Sequence, residues 1–390
     1  MKNIKEVTVF CNGDIDKIST WSGIPYFFCN SLKSKGIKIN NIDITPEKSL
    51  TFIYNKLTRK IIHKVFKNTR YDYTNSFLRF SIIKKKIKKA YKSFPNSDCF
   101  IFFTFCYSGS GIVDVPSIMI SDWTLDYYLK FKLNRKAGFF ENKAIKRDDE
   151  RIETTDIIFS LFPKTTEYLK NKYNNKNIFY IGNAVNSSFD PPFNYHELIA
   201  NKQKSYVLLF IGGEKYLAGL ITLSRAYKSL KKEFPFLNVH IIGINKNLLN
   251  KEDYDENVHF YGYLNKDIPE QSNSYYRLLQ EATIYINTTP YWSSFQAPLE
   301  AMYFYTPLIL SYNEEFFSFF DHDINECCLF CEENEPEILI RYIKKILTFE
   351  KYKKICESAN KLARKYTWDN ATDTFLSVFS NHSNTNLINQ

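Results

Sequence analysis

Twelve short apolar runs, most without polar alternation, constrain this chain more than any other feature of its sequence. The first six are "VTVFCNG" (7–13), "IKINNIDI" (37–44), "CFIFFTF" (99–105), "SIMISD" (117–122), "DIIFSLF" (156–162) and "NIFYIGN" (177–183). The second six are "YVLLFIGG" (206–213), "NVHIIG" (238–243), "NVHFYGYL" (257–264), "TIYINTT" (283–289), "PLILS" (307–311) and "CCLFC" (327–331). Runs of this length and pattern are strands of a parallel sheet covered by helices on both faces. Amphipathic stretches such as 24–36, 220–234, 336–349 and 352–366 supply those helices.

The two sets are separated once, at "NSSFDPPFNYHELIANKQKS", where Pro191 and Pro192 stop any regular element. A chain of 390 residues is also too long for one ordinary core. The expected fold is α/β, with two doubly wound Rossmann-like domains facing a central cleft. The divisions are 1–186 for the first domain, 187–204 for a linker and 205–366 for the second domain. A helix over 367–380 crosses back to the first domain, and 381–390 is a flexible polar tail. In such sheets ligands bind beyond the carboxyl ends of the strands.

Composition removes several classes. No uncharged apolar run approaches the roughly 20 residues that span a bilayer, and "MKNIKEVTVF" lacks the apolar core of a signal peptide. The expectation is a cytoplasmic chain, soluble or peripheral on the inner face of the cell membrane. The six histidines show no ligand spacing, and "CCLFC" has no second Cys or His pair near it, so buried thiols are favoured over a zinc site. The net charge of +10 is concentrated: residues 51–100 hold 13 Lys and Arg against 2 Asp, an excess of +11. Residues 56–94 therefore read as basic amphipathic helices, with Leu57, Ile61, Ile62, Val65 and Phe66 at helical spacing. Two readings stay open for this block: docking on anionic lipid, or a solvated lysine-rich face. No nucleic-acid-binding motif accompanies it.

Three strand-to-helix turns could hold an anion. "FIGGEKYLAGL" places Gly212 and Gly213 at a strand end with Lys215 two residues on. "YWSSFQAPLEAM" carries the small residues Ser293, Ser294 and Ala297 ahead of Glu300. "STWSGIPYFF" puts Gly23 just before the first helix. Glycines and small residues let a phosphate approach backbone N–H groups at a helix start, and a nearby lysine neutralises it. None is a G-x-G-x-x-G fingerprint, which argues against a nicotinamide cofactor. Glu300 reads either as an acceptor for two ribose hydroxyls, on the wall of a cleft open to solvent, or as a charge on a helix N-terminus. Asp122, at the end of "SIMISD", reads as a base or acceptor-hydroxyl ligand, or as the N-cap of "WTLDYYLKF".

The same segments resemble the GT-B glycosyltransferases, specifically the family-4 retaining enzymes. "NIFYIGNAVNSSF" is similar to their "V-I-x-N-G-V-D-x-x-x-F" hinge, "LLFIGGEKYLAGLITLSRAY" to their "L-x-F-V-G-R-x-x-x-x-K-G-x-x-x-L-x-x-A" donor loop, and "YWSSFQAPLEAMYFYTPLILS" to "E-x-F-G-x-x-x-x-E-A-M-A-x-G-x-P-V-I". "WSGIPYFFCNSLKSKGIKI" resembles their glycine loop, first helix and second strand, and "YTWDNATDTFLSVF" their closing helix. The chain departs at three places. Trp292 replaces the first Glu of the family's E-x7-E pair, the donor-loop Arg and Lys fall on Gly213 and Ala218, and a glycine falls on Tyr305, which reads as a packing change.

The resemblance implies transfer of a sugar from a nucleotide-activated donor to a hydroxyl of a glycan or lipid-linked acceptor, by a retaining, hexosyltransferase-like enzyme of bacterial surface polysaccharide synthesis. It implies a donor site over Gly23, Gly212, Gly213, Lys215, Trp292, Ser293, Ser294, Phe295, Gln296, Ala297 and Glu300, with Asp122 and Glu300 as catalytic candidates. No cofactor or metal is expected. The alternative is a catalytically degenerate GT-B-like partner or glycan-binding subunit, and a sugar-nucleotide epimerase on the same fold is a further rival.

Overall fold

The computed structural model describes residues 4–66, 69, 71–290, 295–348 and 350–388. The chain forms two compact units. One runs up to Asn183 and is completed by the chain from Trp368 onward; the other is Ala184–Thr367.

The first unit is built on six parallel strands: β1 (Glu6–Cys11), β2 (Lys38–Asp43), β3 (Cys99–Phe102), β4 (Ser117–Ser121), β5 (Ile157–Ser160) and β6 (Ile178–Tyr180). Their order is β2-β1-β3-β4-β5-β6. Every residue of β3, β4 and β5 is buried, which is why these segments read as unbroken apolar runs. The helices are α1 (Ile24–Ser34), α2 (Lys48–Val65), α3 (Phe77–Ser93), the single turn α4 (Leu125–Tyr127), α5 (Phe139–Thr154) and α6 (Pro163–Lys172).

The second unit repeats the plan with β7 (Val207–Ile211), β8 (Asn238–Ile242), β9 (Val258–Gly262), β10 (Ile284–Asn287), β11 (Leu308–Ser311) and β12 (Cys328–Cys331). Their order is β12-β11-β10-β7-β8-β9, again all parallel. Its helices are α7 (Tyr195–Ser205), α8 (Leu217–Leu230), α9 (Pro269–Glu281), α10 (Gln296–Tyr303), α11 (Glu314–Phe320), α12 (Pro336–Leu347) and α13 (Tyr352–Ala363).

A last helix, α14 (Trp368–Ile388), belongs to the first unit. Phe375 meets Phe28 of α1 at 5.4 Å between ring centroids, and Ser31 donates to Asp369 at 2.5 Å. The helix continues to Ile388, into the segment 381–390 that the sequence reads as a flexible polar tail. The expected linker 187–204 differs too, because α7 occupies most of it. Asn194 caps α7 by accepting the Glu197 N–H. Lys202 anchors it, its buried ammonium donating to Leu279 O, Ala282 O and Thr306 Oγ1 at 2.8–2.9 Å. No local pattern announces that anchor, since its partners lie 77 to 104 residues away.

Candidate functional site

In a doubly wound sheet the crevice forms where the strand order reverses direction. In the second unit that point lies between β7 and β10. The chain leaves β7 through Gly212 and Gly213, and leaves β10 through Thr288, Thr289 and Pro290.

These two exits are fastened together. The Gly219 N–H donates to Thr289 Oγ1 at 3.2 Å, and that hydroxyl donates to Tyr216 O at 3.0 Å. A β-carbon at Gly219 would stand 2.7 Å from the Thr289 backbone nitrogen, so only glycine lets the start of α8 approach β10 this closely. Gly243, at φ +95°, makes a similar approach; a β-carbon there would stand 2.5 Å from Gly212 O. Gly212 itself is needed for packing, because a side chain would meet the Tyr216 ring, whereas Gly213 borders open space. Lys215 is exposed, its ammonium 4.7 Å from the centroid of Tyr216.

The predicted site residues beyond β10 divide. Trp292, Ser293 and Ser294 lie outside the described residues. Phe295 is core: its ring lies 4.6 Å from Phe319 and 5.2 Å from Phe316. Gln296 and Ala297 are buried in the first turn of α10. Glu300 is not at the helix start but in its middle, and it does not line an open surface, since it has no exposure at all. Lys266, from the loop after β9, places Nζ 2.7 Å from Oε1 and 2.8 Å from Oε2. Tyr275 of α9 donates to Oε2 at 2.6 Å. The Lys266 ammonium also lies over the Tyr275 ring at 4.2 Å. Burial and the adjacent carboxylate both push the Tyr275 phenol well above its usual range. Neither Lys266 nor Tyr275 was legible in the sequence, because each pairs with Glu300 across 25 residues or more.

Tyr305 has φ +60°, so the position that reads as a mere packing change is a left-handed one. Its ring stacks on Tyr195 at 5.2 Å, offsetting the backbone cost.

In the first unit the strand order reverses between β1 and β3. Three consecutive residues past β1, Trp21, Ser22 and Gly23, take positive φ (42°, 56° and 88°). Strain of this kind in non-glycine residues is concentrated at functional turns. Gly23 then opens α1. The Trp21 ring meets Phe103, just past β3, at 6.0 Å. At the end of β4, Asp122 Oδ1 accepts the Trp123 N–H at 2.7 Å and the Ser121 hydroxyl at 3.3 Å. Burial pushes its carboxyl above the ordinary value, against those hydrogen bonds and the charge of Lys132. Asp122 is not the helix cap; Thr124 is, accepting the Tyr127 N–H.

No group of three or more candidate metal ligands occurs among the described residues. Asp255 takes hydrogen bonds from Tyr227 OH and Asn257 N, and Asp253 pairs with Lys228. The cysteines of β12 are free and buried, with burial holding their thiols up.

The sequence model of the family "Glycosyl transferases group 1" matches residues 194–365. Among curated proteins none matches the chain. Solved structures are similar along nearly its whole length. Sucrose-phosphate synthase from Thermosynechococcus elongatus is 12% identical, covering 97% of this chain and 98% of that one, with a TM-score of 0.68. TarM is 13% identical over 97% and 99%, at 0.64. Anabaena HepE, solved with UDP and glucose, is 13% identical over 97% and 99%, at 0.58. The chain thus carries the two-domain fold of the GT-B glycosyltransferases, and residues 194–365 of its second unit are similar to the glycosyl transferases group 1 family.

Proposed function

We propose that the protein is a retaining glycosyltransferase that moves a sugar from a nucleoside-diphosphate donor to a hydroxyl of a glycan or lipid-linked acceptor, in bacterial surface polysaccharide synthesis on the cytoplasmic face of an anionic membrane. The observation that carries the reading is the junction of β7 and β10. Gly219 and Thr289 hold the start of α8 against the β10 exit, and Glu300 stands on the helix that follows. HepE and TarM were each solved with UDP, which supports a uridine nucleotide.

The Gly213 turn ahead of α8 leaves room for the diphosphate, with Lys215 alongside to neutralise it. Glu300 is covered in this structure, and it accepts the ribose once that cover opens. A carboxylate offers about four acceptor positions; Lys266 and Tyr275 occupy three, leaving one on Oε1. One ribose hydroxyl takes that position, and the second displaces Lys266 from its oxygen. In sequence Trp292 takes the place of the first Glu of the family's E-x7-E pair, so Trp292→Phe changes donor choice more than nucleotide affinity. In the transfer, the bond from the anomeric carbon to the diphosphate breaks and the acceptor oxygen bonds to that carbon on the same face. The leaving diphosphate takes the hydroxyl proton, so cations and N–H donors on its oxygens carry the stabilisation. Asp122 orients the acceptor hydroxyl. No metal enters this scheme.

Calorimetric titration of UDP, GDP and ADP, followed by hydrolysis assays with the matching sugar nucleotides, tests the reading. Binding of one nucleoside diphosphate with slow hydrolysis of its sugar ester is expected. No binding of any of them favours the degenerate, non-enzymatic alternative, and interconversion of two sugar nucleotides favours an epimerase.

A further inference from the structure

Helix α2 is built inside out. Its inward side carries Thr51, Tyr54, Asn55, Thr58 and Ile62, four of which bear polar groups. Thr58 is buried, and Asn55 Oδ1 accepts the Tyr73 N–H at 2.9 Å. The outward side carries Leu50, Ile53, Leu57, Ile61 and Val65, spaced three, four, four and four residues apart, so they form one stripe along the helix. Phe52 lies beside it. Phe52 is 68% exposed, Ile61 67% and Val65 71%. The apolar surface continues past the helix end, where the Phe66 ring lies 6.4 Å from exposed Phe139. Lys143 sits 4.5 Å over Phe139, and Lys56 and Lys64 are exposed along α2. A helix stabilised only by its own domain would turn the apolar side inward. A continuous apolar stripe left in water marks a surface that is covered in use.

Charge selects what covers it. The segment 51–100 holds 13 Lys and Arg against 2 Asp. On α3, Lys84, Lys85, Lys88 and Lys89 are exposed and form no ion pair among the described residues. A second copy docked through the same face would set two such basic regions against each other. An anionic bilayer surface offers hydrocarbon to the stripe and negative headgroups to the lysines at once. No helix among the described residues is long and apolar enough to cross a membrane, so the contact is lateral. We infer that α2 lies in the plane of an anionic membrane, with the stripe of Ile53, Leu57, Ile61 and Val65 immersed in the headgroup layer. Such helices sink about 5–10 Å into the boundary of headgroups and acyl chains. The inference deepens the proposed function by fixing the first unit at a surface that carries lipid-linked acceptors, and it rests on that reading only for the acceptor.

Vesicle flotation tests it, with the full chain and vesicles of phosphatidylglycerol with phosphatidylcholine or of phosphatidylcholine alone. The expected result is binding to the mixed vesicles only, and a loss of about tenfold or more when Phe52→Gln, Leu57→Gln and Ile61→Gln are combined. These positions face water, so the thermal unfolding of the variant stays that of the parent. Binding of the variant equal to the parent, or no binding of the parent, overturns the proposal. So does a parent dimer in solution that the triple variant dissolves, which would make the stripe a self-interface. Nucleotide binding measured without vesicles keeps the two readings apart: intact nucleotide binding without flotation sinks only the docking, and flotation without nucleotide binding sinks only the transfer.

Discussion

Lys266 Nζ stands within 2.8 Å of both carboxylate oxygens of Glu300, on side chains 15% and 1% exposed. Glu300 therefore has a structural partner as well as a proposed ligand. Breaking a buried ion pair from one side costs about 3–5 kcal/mol, because the other charge is left without compensation. Glu300→Gln and Lys266→Met should each lower unfolding stability by about that amount in urea titrations, and the double variant should lose clearly less than the sum. Calorimetry on folded Glu300→Gln should show nucleotide binding weakened about ten- to hundredfold, the loss of a charged hydrogen bond worth about 1.5–3 kcal/mol. Unchanged affinity with lowered stability would make Glu300 purely structural.

The Lys202 amine is pushed down to about 7 by burial. A base whose folded pKa lies below its unfolded value carries its full penalty below about pH 7, and the penalty is relieved as pH rises toward the unfolded value near 10.4. Stability from this group should therefore rise between about pH 7 and pH 10. Lys202→Met removes that rise and leaves Leu279 O, Ala282 O and Thr306 Oγ1 without this donor, at about 1–3 kcal/mol. The gap between parent and variant should widen with pH in parallel urea titrations; a gap constant with pH would mean that Lys202 stays charged.

Gly219→Ala forces a β-carbon against Thr289. Overpacking of this kind costs about 1–3 kcal/mol and should move the α8 start away from β10. Thermal unfolding should fall, and nucleotide affinity should fall with it. Adding Thr289→Ala should recover only part of the loss, because the Thr289 backbone nitrogen is also in the way. Lowered stability with unchanged nucleotide affinity would detach the diphosphate site from this junction.

Asp122→Asn keeps the shape of the β4 exit and removes its charge. Turnover should fall by about 10²-fold or more if the carboxylate handles the acceptor hydroxyl, with nucleotide affinity unchanged. Because burial raises this carboxyl, the acid limb of kcat/KM should lie above that of an ordinary aspartate and vanish in the variant. Full turnover in Asp122→Asn would end its assignment.

Short apolar runs had one good solution, strands covered on both faces, so the sequence determined all twelve strands, their parallel class and the two units. It also marked Gly212 at a strand end, where the structure leaves no room for a side chain, whereas the close approaches at Gly219 and Gly243 were decided by the fold. What it left open depends on contacts between residues far apart in the chain. Glu300 was visible as a lone carboxylate among apolar residues, but its partner Lys266 comes from a different loop and Tyr275 from a different helix. Asp122 read either as a base or acceptor-hydroxyl ligand or as a cap, and only the structure gives the cap to Thr124. The helical period of α2 was legible, but a period says only that one face differs from the other. Which face turns inward is decided by the elements around it, and here the polar side packs and the apolar side meets the solvent.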